Sequence, residues 1–177
     1  MKVIFTILLS IFSIHAFTQL SEAESAELKT LLKKFKKTHD DFYNFDSYQH
    51  KQATSGLNKH SMYPELRDTA LYIIVSTTAN GSLFLPNSAT VKMDSTFYVL
   101  SNPVNTSHLR VMQAVNETMH FTGCNDLVKL MANYTTKQSV SIRISNNDEY
   151  RDGSVFVKNI IAWSDTYRLY QLLKKKA

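Results

Sequence analysis

The sequence predicts an α+β fold: a mainly antiparallel sheet of about five or six strands with N-terminal, middle and C-terminal helices packed on it. Three observations lead there. Apolar residues recur at three- and four-residue steps near both ends of the chain, which is the helical period. Runs rich in β-branched and aromatic residues lie between, several alternating apolar and polar. The links between those runs are hairpin-sized, which favours antiparallel pairing.

The first segment is read apart from the fold. Met1 and Lys2 open positively, Val3 to Phe12 is nearly all apolar, and polar residues begin at Gln19. Such a layout is that of a secretory signal, and its apolar part is shorter than the roughly 20 residues of a membrane span. Ala16 and Thr18 suit the small-residue positions before a cut, so residues 1–18 are expected to be removed, with cleavage after Ala16 as the alternative. Residues 19–177 are long enough for a single α+β domain with a core of its own.

A helix is expected next. Ser21 and Glu24 form a capping-box pattern, and Glu22, Glu24 and Glu27 precede the lysines, as the helix dipole favours. Leu28, Leu31, Leu32, Phe35, His39 and Phe42 mark one apolar stripe, extending the predicted helix as far as about Gln52. Residues 44 to 68 then read as a loop or broken helix, interrupted by Ser55-Gly56 and Pro64. Thr69 to Thr78 is a strand, and Asn80-Gly81 predicts a hairpin whose return is Leu83-Phe84-Leu85. Strands follow at Ala89 to Met93 and Thr96 to Leu100, joined by Asp94-Ser95. Residues 109 to 121 fit a long strand better than a helix, because Leu109, Val115, Met119 and Phe121 share one parity. A short helix starts at Cys124 or Asn125. Val140, Ile142 and Ile144 alternate with polar residues in another strand, and Ser154 to Val157 is a short one. The last helix carries Ile160, Trp163, Tyr167 and Tyr170 on one face.

Composition narrows the function. The chain is 44% hydrophobic and 11% aromatic, with only 4 Gly and 3 Pro, so it is expected to fold rather than remain disordered. Cys124 is the only cysteine, so no bridge can form within the chain and packing must stabilise it. A net charge of +5 is too mild to indicate nucleic acid, and much of it sits in two lysine clusters, Lys33 to Lys37 and Lys174 to Lys176. No nucleic-acid partner, no cofactor and no transmembrane segment after signal cleavage are expected, and the chain should work in the periplasm or outside the cell.

The candidates for chemistry are few. His39, Asp40, Asp41, Asp46 and His50 are the densest group of ligand-type residues, with His39 and Asp46 two helical turns apart, but no paired histidine motif supports a metal. Cys124 and His120 are the one thiol–imidazole pair close in sequence. A nucleophilic role would need a depressed thiol pKa at a helix start. No Gly-x-Ser-x-Gly elbow and no phosphate-cradling glycine loop occur. Asp94, Glu117, Asp126 and Asp165 could pair in space only through the fold. Asn80, Asn105, Asn116 and Asn133 lie in glycosylation sequons, relevant if the host is eukaryotic.

Tyr43, Phe45, Tyr48 and Tyr63 concentrate aromatic area in the irregular segment, where rigid rings with polar tips can make a recognition surface. The resulting expectation is an exported, non-catalytic domain that binds a protein or surface partner through this segment and an exposed sheet face or edge. The alternatives are a small thiol-dependent or other hydrolase using Cys124, and a lipid or small-ligand carrier with an apolar cavity under its helices.

Overall fold

A computed structural model describes residues 20–53, 60–80, 83–111, 114–134, 140–155 and 158–176. The predicted leader, the Ser55-Gly56 break and the Gly81-Ser82 turn lie outside the described residues. So does the side chain of Ile160. Antiparallel sheet dominates, as expected, but there is more of it than the sequence implied. Among the described residues, ten strands form two sheets, accompanied by three helices.

The elements run α1 (Glu22–Leu32), β1 (Phe35–Asp40), β2 (Phe45–His50), β3 (His60–Arg67), β4 (Ala70–Asn80), β5 (Ser88–Met93) and β6 (Thr96–Ser101). They continue with β7 (Asn105–Val111), β8 (Ala114–Phe121), α2 (Asn125–Ala132), β9 (Val140–Ser145), β10 (Tyr150–Val155) and α3 (Lys158–Lys176). A six-stranded sheet has the order β1-β2-β3-β4-β8-β7, and a four-stranded sheet has the order β10-β9-β5-β6.

Four corrections follow, each with a local cause. The first helix stops at Leu32, and the stretch read as its continuation is the β1–β2 hairpin. There the Asp40 carboxylate accepts the backbone N–H of Phe42 and Tyr43, and Asn44 adopts a left-handed φ of 52°. Asp and Asn tolerate such turns better than other side chains do, and their local bonds compete with helix. Second, Pro64 does not break the chain but sits inside β3. Pairing with β2 ends at Glu65, so the proline's missing N–H falls where no partner strand runs on that side. Third, Leu83 to Leu85 is not a return strand. β4 pairs instead with β3 and β8, and Leu85 takes φ 52°, which a strand cannot hold. Fourth, the described residues of 109 to 121 belong to two strands, not one: β7 and β8 pair with each other, so Leu109 lies opposite Asn116 rather than in line with Phe121. The final short strand also begins earlier than expected, at Tyr150.

The α1 capping box forms as predicted, with Ser21 and Glu24 exchanging bonds of 3.1 Å. Arg168 grips Glu27 at 2.8 and 2.6 Å, tying α3 to α1. Both sheets and all three helices contribute to one large apolar cluster. Met62, Ile73, Met119 and Phe121 come from the larger sheet, Val91, Ile142 and Ile144 from the smaller, and Leu31, Met131 and Trp163 from the helices. Among the described residues, no helix is long and apolar enough to cross a membrane.

Candidate binding surface

Cross-strand registry sorts the side chains of the six-stranded sheet onto two faces. Tyr48, Leu66, Leu71, Ile73 and Phe121 share the inner one. Thr38, Ser47, Phe45, Arg67, Glu65, Tyr72, His120 and Asn105 alternate with them onto the outer one. At the edge of that outer face stands the β1–β2 turn, where Phe42 is 87% and Tyr43 72% exposed. Their rings meet edge to face at 4.9 Å, and Tyr43 stacks towards Phe45 at 6.5 Å.

A groove of about 500 Å³ runs inward from this turn. Its polar centre is Arg67. The guanidinium donates from Nε to Glu65 at 2.7 Å and from Nη2 to His120 Nδ1 at 2.5 Å. It also lies 4.6 Å from the Tyr72 ring centre and 5.7 Å from that of Phe45. A guanidinium has no acceptor, so His120 must accept at Nδ1 and carry its proton on Nε2. Burial, then the Arg67 charge, pushes the His120 pKa down from its ordinary 6.5 to about 4. The result is a fixed cation braced by one carboxylate, one neutral imidazole and two ring faces. It offers oriented N–H donors and flat apolar area.

The other expected sites come apart. Cys124 packs against the main core and donates to the Thr122 carbonyl at 3.2 Å, while His120 turns to the opposite face of the sheet. Burial pushes the Cys124 thiol up, the reverse of what a nucleophile needs. In the group considered for metal binding, His39 and Asp46 do meet, at 2.9 Å, but as cross-strand partners rather than along a helix. Lys37 closes on the same carboxylate at 2.6 Å, and Lys37 and His39 hold the Asp46 pKa low. Asp41 stands 3.6 Å from His39, and Asp40 caps its own turn. Among the described residues, no three His, Cys, Asp or Glu side chains converge as a metal site.

His50 points elsewhere, into a buried pair with Asp165 at 3.1 Å that is completed by Lys34 at 2.9 Å. It resembles a catalytic dyad, but Nδ1 of His50 accepts the backbone N–H of Gln52 at 3.2 Å. The outward nitrogen a general base would use is therefore already occupied, and the pair serves to fasten α3 to β2. Where a carrier would need a cavity, Trp163, Met131, Leu169 and Leu172 are fully buried.

Neither a known family, nor a curated protein, nor a solved structure matches this chain. Of the four aromatic candidates, Tyr43 and Phe45 line the groove. Tyr48 packs against the main core, and Tyr63 is buried beside Ile74 and Ala162, with its hydroxyl pKa pushed up to about 12 by burial. Sequence reasoning missed Arg67 and Glu65 and singled out Asn105 only as a sequon; strand registry brings all three to the groove. The one available signal was Glu65-Leu66-Arg67, an alternation that places both charges on the face opposite Leu66. Of the sequon residues, Asn105 lines the groove. Asn116 is half-buried on the same face and donates to Thr78 at 3.2 Å. Asn133 is exposed at the end of α2, and the side chain of Asn80 lies outside the described residues.

Proposed function

We propose that the chain is exported, loses residues 1–18, and acts in the periplasm or outside the cell as a non-catalytic binding domain. Its partner is a protein segment that covers the β1–β2 turn and lies along the groove towards Arg67. The observation that carries this reading is the exposure of Phe42 and Tyr43, at 87% and 72%, next to a braced arginine. Two adjacent exposed rings, one of them lining the groove with a partly buried cation, have the composition of interface hot spots, where aromatic residues and Arg dominate. The turn is held by its own Asp40 bonds, so these rings are presented without the full entropic cost of ordering a free loop.

The test compares the exported chain with its Phe42→Ser/Tyr43→Ser and Arg67→Ala variants in capture experiments from its own compartment. A component retained by the parent chain and lost from both variants supports the reading. The same component on all three, or none on the parent, overturns it. Mass spectrometry of the exported chain, expected to begin at Gln19 or Phe17, tests the processing step independently.

A further inference from the structure

We propose that two copies of this chain pair edge to edge through β6, antiparallel across a twofold axis at Tyr98, with Phe97 of each copy opposite Val99 of the other. The two sheets have four edge strands: β1, β7, β6 and β10. An open edge presents unpaired N–H and C=O groups, and proteins usually guard it with charge, proline or a bulge. Three of the four are guarded here. β1 carries Lys36, Lys37, His39 and Asp40, β7 carries His108 and Arg110, and β10 carries Arg151 and Asp152. Bringing any of these against another strand would desolvate or oppose charges.

β6 is the exception. It reads Thr-Phe-Tyr-Val-Leu-Ser, with no charge and no proline, and among the described residues only β5 pairs with it. Phe97 is 62% and Val99 68% exposed, both on the outer face of the four-stranded sheet, while Leu100 turns into the core. The absence of charge within β6 itself matters most for association with a second copy; the neighbouring Lys92 of β5 keeps its ammonium 5.5 Å from the Phe97 ring centre. The chain carries +5 overall, so like molecules repel unless they meet where charge is missing.

The strand's pattern selects both the partner and the register. A slip of one residue would place the outer face of one copy beside the core-side residues of the other. Only registers that keep like faces together extend the sheet. Centred on Tyr98, the pairing sets Phe97 against Val99 twice, and aromatic–β-branched pairs are favourable cross-strand neighbours. Centred on Val99, it would leave Phe97 opposite Ser101. The Tyr98 register thus covers both exposed apolar residues of each copy and joins two four-stranded sheets into one of eight. Twofold closure uses up the edge, so pairing stops at the dimer.

The experiment uses the exported chain as purified. Sedimentation equilibrium should give twice the protomer mass, and Val99→Lys and Phe97→Lys should each weaken self-association by about tenfold or more. At concentrations too low for the parent to pair, the Val99→Lys melt should match the parent's because that position is exposed, and at higher concentrations the parent's melt should lie above it. In a Cys124→Ser background, a mixture of Phe97→Cys and Val99→Cys chains should form a disulfide-linked dimer on mild oxidation. Neither chain alone should do so, because like positions stand diagonally, beyond the roughly 7 Å reach of a disulfide. The proposal is overturned by a parent chain that stays monomeric up to about 0.1 mM, by a dimer indifferent to both lysines, or by cross-linking as efficient in either single variant as in the mixture. The groove on the other sheet has no part in this seam, so neither result bears on the binding reading above.

Discussion

The same three groups, a glutamate, an arginine and a ring, occur twice in this molecule and are put to different uses. Inside, Glu117 is 1% exposed, accepts the N–H of Phe84 and of Leu85 at 2.8 and 2.6 Å, and stands 4.0 Å from Arg151, which lies 4.0 Å over the Phe84 ring. Outside, Glu65 holds Arg67 at 2.7 Å over the Tyr72 ring. The inner carboxylate spends its bonds on the backbone of the loop after β4, and its arginine is too far for a direct hydrogen bond. The outer one spends its bond on the arginine and steadies a cation at the mouth of a groove. Depth separates the roles: a buried carboxylate must satisfy itself from whatever donors the fold supplies, whereas one near solvent can brace a neighbour.

The largest effect should come from the inner group. Glu117→Ala orphans two backbone N–H groups and strips a partly exposed arginine of its nearest counter-charge, which should cost about 3 kcal/mol in urea unfolding. Glu65→Ala removes a partner that keeps 13% of its exposure and orphans no backbone group, and should cost about 1 kcal/mol. Equal losses would erase the distinction between the two groups.

The outer group should reveal itself through pH. The folded-state pKa of His120 is about 4 against an ordinary 6.5, so as pH falls through that window the unfolded chain takes up a proton that the folded chain refuses. Stability from this residue is complete above pH 6.5 and drains as pH drops towards 4, on the order of 3 kcal/mol. His50, also pushed down by burial, works in the same direction. His120→Gln should therefore flatten part of the acid-side slope of stability against pH. Arg67→Ala should narrow the window by letting His120 protonate sooner. A slope unchanged in His120→Gln would mean that the imidazole titrates normally and that the outer group is not closed as described.

How far each group was legible follows from the range of its interactions. Elements set by local pattern were readable: the Ser21–Glu24 box, the Val140–Ile144 alternation and the Asp94 turn, where φ 53° suits an aspartate. The β1–β2 hairpin was hidden because Phe35, His39 and Phe42 happen to fall at helical steps, and lysine-rich sequence favours helix when nothing distant competes. What decides against it is the pairing of Lys37 with Tyr48 and of His39 with Asp46, which no window of helical length weighs. Thus His39 and Asp46 were rightly brought together, though by the wrong geometry. Arg67 and His120 are 53 positions apart and meet only because β3 and β8 flank β4. No spacing rule reaches such a pair.

The smallest effect tests whether Glu117 is what shapes its loop. Asn44, Asp68, Asp94 and Asn102 take left-handed φ at turns between strands, as their side chains permit. Leu85 does so with φ 52° and no such help. That conformation costs a leucine about 1–2 kcal/mol, and the two bonds to Glu117 offset it. Leu85→Gly removes the strain but adds freedom to the unfolded chain, leaving a net gain of about 0.5 kcal/mol. In a Glu117→Ala background the loop is no longer held, the leucine can relax, and the same glycine should bring no gain. A double-mutant cycle measured by urea unfolding would show this as coupling between the two positions. An equal gain in both backgrounds would mean that the loop holds Leu85 in its left-handed state unaided, and that the buried glutamate answers to Arg151 after all.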